Sequence, residues 1–184
     1  QALLDFQPDN FQQVFLLGNH EQMMLDFINK VPDSLSLWIL NGGDETLISY
    51  GIKGVSFFYD ETKNNETVHD ELVNNIPVNH LQFFNNLSLS YQWGGYFFVH
   101  AGIDPDIPLD KQDKNTLIWQ RRSKFFSNTK VFEKIIVHGH TPQPKIENLA
   151  NRINLDTGAF YTGILSCLII DTKTGEKQFI STTN

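Results

Sequence analysis

The chain has 184 residues and a mass of 21.1 kDa, with 40% apolar residues, a net charge of -7 and a pI near 5.2. That is one domain's worth of chain, large enough for a proper core, and its acidity excludes the basic field that would hold nucleic-acid backbones or anionic membrane surfaces. The single Cys167 rules out an internal disulfide framework and fits a reducing, cytoplasmic setting, and neither a membrane-span-length apolar run nor a signal peptide is visible.

Gln1 to Phe6 reads as the end of a helix already under way, with Asp9 and Asn10 turning the chain into a first strand. The sequence is therefore expected to begin inside a larger domain. Val14 to Leu17, charge-free with β-branched and aromatic residues, is expected to be a buried strand. Gly18 ends it, and Met24, Leu25, Phe27 and Ile28 then take up helical spacing. Asn19 and His20 are thus expected on a tight strand-to-helix turn, at the strand's carboxyl end, where open α/β sheets place ligand-binding groups. A hard oxygen beside an imidazole suits a metal site with an adjacent proton donor.

Glu21 to Lys30 is expected to form a short amphipathic helix, stopped by Val31-Pro32-Asp33. An apolar run from Leu35 to Leu40 contains Trp38, and after Asn41-Gly42-Gly43-Asp44 a further helical turn or two fits Glu45 to Tyr50. Residues 60 to 75, polar and without sustained periodicity, read as a loop leading into a helix. Ile76-Pro77 then opens a helix through Phe83, Phe84 and Leu87. Altogether 25–90 reads as a mainly helical insertion between two sheet strands. His69 and His80 are expected at the surface, and Trp38, Trp93 and Trp119 as packing residues.

The second half returns to strands: Tyr96 to Val99, Ile135 to Val137, Arg152 to Leu155 and Ile164 to Ile170. A turn at Thr172-Lys173-Thr174-Gly175 then leads to a last strand ending at Ile180, which suggests a terminal hairpin.

One arrangement occurs three times: an apolar strand, then a His at or just past its end, beside Gly. The places are Gly18-Asn19-His20, Val99-His100-Ala101-Gly102 and Gly139-His140-Thr141. Parallel strands present their carboxyl ends along one edge, and imidazole is the commonest metal ligand near neutral pH. Three such ends in one sheet point to a metal site.

In this order, Gly-Asn-His-Glu, His-Ala-Gly and Gly-His-Thr resemble the second, third and fourth parts of the calcineurin-like metallophosphoesterase pattern. The extensions Asn-His-Glu-Gln-Met, Asn-Gly-Gly-Asp at 41–44, Phe-Val-His-Ala-Gly-Ile, Leu-Ile-Trp-Gln-Arg, Val-His-Gly-His-Thr-Pro and Asn-Arg-Ile-Asn-Leu-Asp-Thr-Gly-Ala at 151–159 are similar to the bacterial serine/threonine phosphoprotein phosphatase branch. The resemblance covers essentially the whole chain. It implies an α/β fold, an incomplete metallophosphoesterase β-sandwich flanked by helices, with residues 1–184 a single domain lacking its N-terminal portion.

It further implies that Asn19, His100 and His140 bind one of two divalent ions, manganese first, with iron or zinc as alternatives. His20 is then the general acid. Arg121 holds the substrate phosphate by a bidentate contact, with the adjacent Arg122 as its rival. In the family a metal-bound hydroxide attacks phosphorus in line, so no phosphoenzyme forms. Cys167, inside an apolar strand and off any cradle loop, disfavours a cysteine-phosphatase mechanism. His138 precedes the Gly-His-Thr motif and is expected to support it structurally. Glu21 is expected to begin its helix or orient its neighbours, and Asp156 to be a turn residue.

The family pattern opens with Gly-Asp-x-His-Gly and Gly-Asp-x-x-Asp-Arg-Gly, which supply the first metal's ligands and the bridging Asp. Neither motif is present, so the chain as given is expected to be a fragment with little activity. The substrate expected is a phosphorylated protein or a small phosphoester, with no nucleic-acid or membrane partner. A symmetrical diadenosine tetraphosphate hydrolase shares the core motifs and is the alternative enzyme, and a metal-free pseudoenzyme the alternative outside that class.

Overall fold

The computed structural model describes residues 1–55 and 64–182. The chain divides into two compact units, Gln1–Leu87 and Ser88–Asn184.

Among the described residues the first unit is helical: α1 (Ala2–Asp5), α2 (Asn19–Ile28), α3 (Ser34–Leu40), α4 (Gly43–Ser49), α5 (Asn65–Asn75) and α6 (Val78–Asn85). The Glu21 carboxylate caps α2 by accepting the Gly18 N–H at 3.1 Å, which satisfies a donor that the first turn leaves orphaned. Met23, Met24 and Phe27 bury one face of α2. Phe27 lies 6.0 Å, centroid to centroid, from Trp38 of α3. Trp38, Leu47, Ile52, Val68 and Leu72 are at most 1% exposed. Burying a side chain of this size stabilises the unit by roughly 1.5–3 kcal/mol relative to leaving it in water.

Two expectations of secondary structure fail in this unit. Val14 to Leu17 forms no sheet strand and makes one isolated bridge, at Leu16. The expected loop of 60–75 is in its greater part the helix α5, while 60–63 lie outside the described residues. The Asn64 side chain caps α5 by accepting the Thr67 N–H at 2.8 Å. Val68, Leu72 and Ile76, spaced by four, then bury a single stripe.

The second unit carries a five-stranded mixed sheet in the order β1-β2-β3-β5-β4 and a two-stranded hairpin, β6-β7. The strands are β1 (Ser90–Trp93), β2 (Tyr96–Val99), β3 (Ile135–His138), β4 (Glu147–Asn148), β5 (Arg152–Asn154), β6 (Ser166–Ile170) and β7 (Lys177–Ser181). β2, β3 and β5 run parallel, with Phe97 opposite Ile136 and Val137 opposite Ile153. β1 and β4 flank them antiparallel. The hairpin expected at the C-terminal end of the sequence is present, closed by the Asp171 N–H on the Glu176 carbonyl.

Helices α7 (Lys114–Trp119), α8 (Ser123–Phe126) and α9 (Ala159–Thr162) complete the unit. Its core is Phe97, Val99, Ile103, Leu117, Ile118, Phe125 and Ile136. Gly102, at φ 152°, presses against this core, and a Cβ there would fall 2.6 Å from Cε1 of Phe125. Trp93 departs from its expected packing role at 41% exposure, whereas Trp38 fulfils it. Among the described residues no helix is long and apolar enough to cross a membrane.

Candidate active site

Because β2 and β3 are parallel neighbours, the residues that follow them emerge on one edge. His100 directly follows β2, and Gly139 and His140 directly follow β3. The Gly139 N–H donates to the His100 carbonyl at 2.8 Å, which ties the two strand ends together. Beyond this tie, Nε2 of His100 stands 3.1 Å from Nδ1 of His140.

His140 has φ 65°, a left-handed conformation uncommon for a residue with a Cβ. The Thr141 N–H donates back to the Gly139 carbonyl at 2.8 Å, so His140 is the central residue of a γ-turn of the strained, positive-φ kind. Strain of about 1–3 kcal/mol held at one residue is characteristic of functional sites. The turn is braced from β5, where the fully buried Asn154 donates from Nδ2 to the Thr141 carbonyl at 2.9 Å. Asp156 accepts the Gly158 N–H at 2.9 Å, the turn role expected of it.

Arg121 comes from the end of α7. The Asp113 side chain caps that helix by accepting the Thr116 N–H at 2.9 Å. The buried Gln120 then pins the following segment, donating to the Ile103 carbonyl at 2.9 Å and accepting the Arg122 N–H at 2.8 Å. Arg121 Nε–H accordingly donates to Nε2 of His140 at 2.9 Å. A guanidinium only donates, so Nε2 of His140 keeps its lone pair and its Nδ1–H points to His100. Trp119 meets the His140 ring edge-on at 6.0 Å, so it serves the site as well as packing. Arg122 lines the same cleft as Arg121, with Asp104, Asp113 and Asn115. Lys124 bridges Asp104 and Asp106. The backbone N–H of Asp106 and then Lys124 hold the Asp104 carboxyl below the usual carboxylate range.

Asn19 and His20 are the first two residues of α2 in the other unit; Asn19 is buried and His20 exposed. They sit at the positive end of a ten-residue helix. The structure therefore brings together His100, His140 and Arg121, and it sets Asn19 beside His20.

His138 is buried beneath the turn, packed edge-on against Phe125 and Phe126 at 5.1 and 5.7 Å. Burial lowers its pKa from 6.5 to about 4, which keeps the ring neutral. Arg152 of β5, 3% exposed, pairs with Glu147 at 2.8 Å and holds that carboxyl below its usual range. His69 is not the surface residue expected. His69 is 8% exposed, with Nε2 2.9 Å from the Ile28 carbonyl. His80 is half-buried between Tyr50 and Gln1. The supporting roles of Trp119, Gln120 and Asn154 went unread, because only the fold brings these residues to the turn.

A family model, calcineurin-like phosphoesterase, matches residues 1–163. The chain is also similar to the crystal structure of a protein described provisionally as a diadenosine tetraphosphatase, at 17% identity and a TM-score of 0.60, over 93% of this chain and 69% of that one. No curated protein matches it. The chain belongs to the calcineurin-like phosphoesterase family. It is thereby of the metal-dependent phosphoester hydrolase class, whose members generally use a binuclear divalent centre.

The imidazole pair fits such an ion. His100 Nε2 and His140 Nδ1 stand 3.1 Å apart with a proton between them, and two nitrogens bound to one divalent cation at about 2.0–2.1 Å stand roughly 3 Å apart, so an ion held by both would take the place of that proton. Among the described residues there is no group of three or more His, Cys, Asp or Glu side chains arranged to hold an ion.

Proposed function

We propose that the chain carries half of a binuclear phosphoester-hydrolysing centre acting in the cytoplasm on phosphorylated serine or threonine in proteins. In this reading both units belong to one catalytic domain, and the family match across 1–163 supports this. Asn19, His100 and His140 hold one divalent ion, manganese first, and Arg121 and His20 act on the substrate. The observation that carries the reading is the wired set Arg121–His140–His100, at 2.9 and 3.1 Å.

Bound divalent ions supply an activated water and positive charge against the phosphoryl oxygens. Arg121 offers planar paired donors to two oxygens of one phosphate, which an ammonium cannot copy. His20, exposed at the start of α2, holds the proton that the departing alkoxide takes up, a contribution of roughly 10²–10⁴ in rate. Asn19, His100 and His140 are neutral donors without a carboxylate. The chain by itself therefore binds its ion loosely and turns over slowly.

A second reading, hydrolysis of a dinucleoside polyphosphate, is favoured by Arg122 lining the same cleft as Arg121, since two guanidinia suit two linked phosphates. The description of the structural neighbour points the same way. The test is Mn²⁺ binding by the chain and by His140→Ala, with turnover of a phosphoserine peptide and of diadenosine tetraphosphate. Mn²⁺ binding lost in the variant and faster turnover of the peptide are expected. Turnover of the dinucleotide alone selects the second reading, and Mn²⁺ binding indifferent to His140 overturns both.

A further inference from the structure

We infer that His138 is a positioning residue that sets the His140 turn through a single hydrogen bond, with Arg152 and Glu147 holding its ring in the required tautomer. The inference rests on the proposed role of His140 as a metal ligand.

Nδ1 of His138 lies 3.2 Å from the Gly139 carbonyl oxygen, which only accepts, so Nδ1 carries the proton. Nε2 of the same ring faces Nη1 of Arg152 at 3.4 Å, and a guanidinium only donates, so Nε2 carries the lone pair. Arg152 is itself fixed by Glu147 at 2.8 Å through Nη1 and by the Phe126 carbonyl at 3.3 Å through Nη2. Its guanidinium also lies over the Phe126 ring at 5.2 Å. The pocket thus specifies both the place of the ring and the atom that bears the proton.

The carbonyl that His138 reaches is the one that closes the γ-turn. Gly139 O accepts the Thr141 N–H at 2.8 Å and the His138 Nδ1–H at 3.2 Å. Two donors on one oxygen orient that peptide, and its orientation sets φ of His140. A buried guanidinium is costly to keep without partners, and Arg152, its side chain 4% exposed, meets that cost through Glu147, whose side chain is 32% exposed. The guanidinium's place beside His138 is accounted for if it holds the ring that aims His140. Neighbours that orient metal ligands in this way typically change affinity by about 10- to 100-fold when removed.

The experiment compares the chain with His138→Phe, which keeps an aromatic ring between Phe125 and Phe126, with His138→Gln, which keeps a donor, and with His140→Ala. Each is checked by circular dichroism. Mn²⁺ affinity is read by titration, the His138 ring nitrogens by ¹⁵N NMR, and Thr141 amide exchange by NMR. His138→Phe is expected to weaken Mn²⁺ binding about 10- to 100-fold and to speed Thr141 exchange, with His138→Gln recovering part of both. The unaltered chain is expected to show protonated Nδ1 and bare Nε2 on His138. A proton on Nε2 overturns the inference even if no variant folds. So does a folded His138→Phe with unchanged affinity and exchange. If His140→Ala leaves Mn²⁺ affinity unchanged, the metal-site reading fails instead, and the exchange data still decide the positioning role.

Discussion

The Nε–H of Arg121 donates to Nε2 of His140 across 2.9 Å, so the guanidinium and the imidazole pair orient one another. Arg121→Lys keeps the charge and loses the planar fork. For the Mn²⁺-loaded protein on a phosphopeptide, kcat/KM is expected to fall about 10²–10³-fold, and for Arg122→Lys less than about tenfold. Steady-state kinetics of the two variants check this, and the reverse order would exchange their roles.

His20 stands at the start of α2, next to the buried Asn19. His20→Asn is expected to lower turnover by roughly 10²–10⁴ while leaving Mn²⁺ content unchanged. Elemental analysis beside the rate measurement is the check. Parallel loss of metal and rate would make His20 a ligand.

The turn at His140 separates stability from function. At φ 65° an alanine suffers as the histidine does, whereas glycine is at ease. His140→Gly is expected to be more stable than His140→Ala by about 1 kcal/mol, and both are expected to lose Mn²⁺ binding. Urea unfolding and metal titration on the same preparations measure the two effects.

Burial lowers the pKa of His138 from 6.5 to about 4. Below 6.5 the unfolded ring takes up a proton that the folded ring refuses, so stability falls as pH drops from 6.5 to about 4. The shift corresponds to about 3 kcal/mol over that window. Glu147, held down by Arg152, adds a loss only below the ordinary carboxylate range. Urea midpoints of the chain in a chelator should follow this course, and His138→Phe should flatten the upper part alone.

Gly102 lies against the fully buried Phe125, 2.6 Å from where a Cβ would stand. Gly102→Ala is expected to cost about 1–3 kcal/mol through overpacking, with added strain from its φ of 152°. Denaturant melts of the variant would show the loss.

The strands that bear the site were legible because Tyr96 to Val99 and Ile135 to Val137 are short apolar runs ended by His beside Gly. The pairing of His100 with His140 followed from parallel strand ends. Val14 to Leu17 carries the same composition yet forms no strand, since an apolar run does not reveal whether an edge is available for it to pair with. Helix α5 was hidden because Glu66, Asp70 and Glu71 surround Val68 and Leu72, masking a stripe only one residue wide per turn. The positive φ of His140 left no trace in the sequence. The tie between Arg121 and His140 was equally unreadable, for it depends on how Gln120 anchors the end of α7.

The bond from Gly139 N–H to the His100 carbonyl joins the two imidazoles through the sheet, not through the 39 intervening residues. That intervening stretch delivers Arg121 and the cleft around it. Insertions there can redraw what the protein recognises while the histidine pair stays in place, so substrate preference is free to drift in evolution faster than the chemistry does.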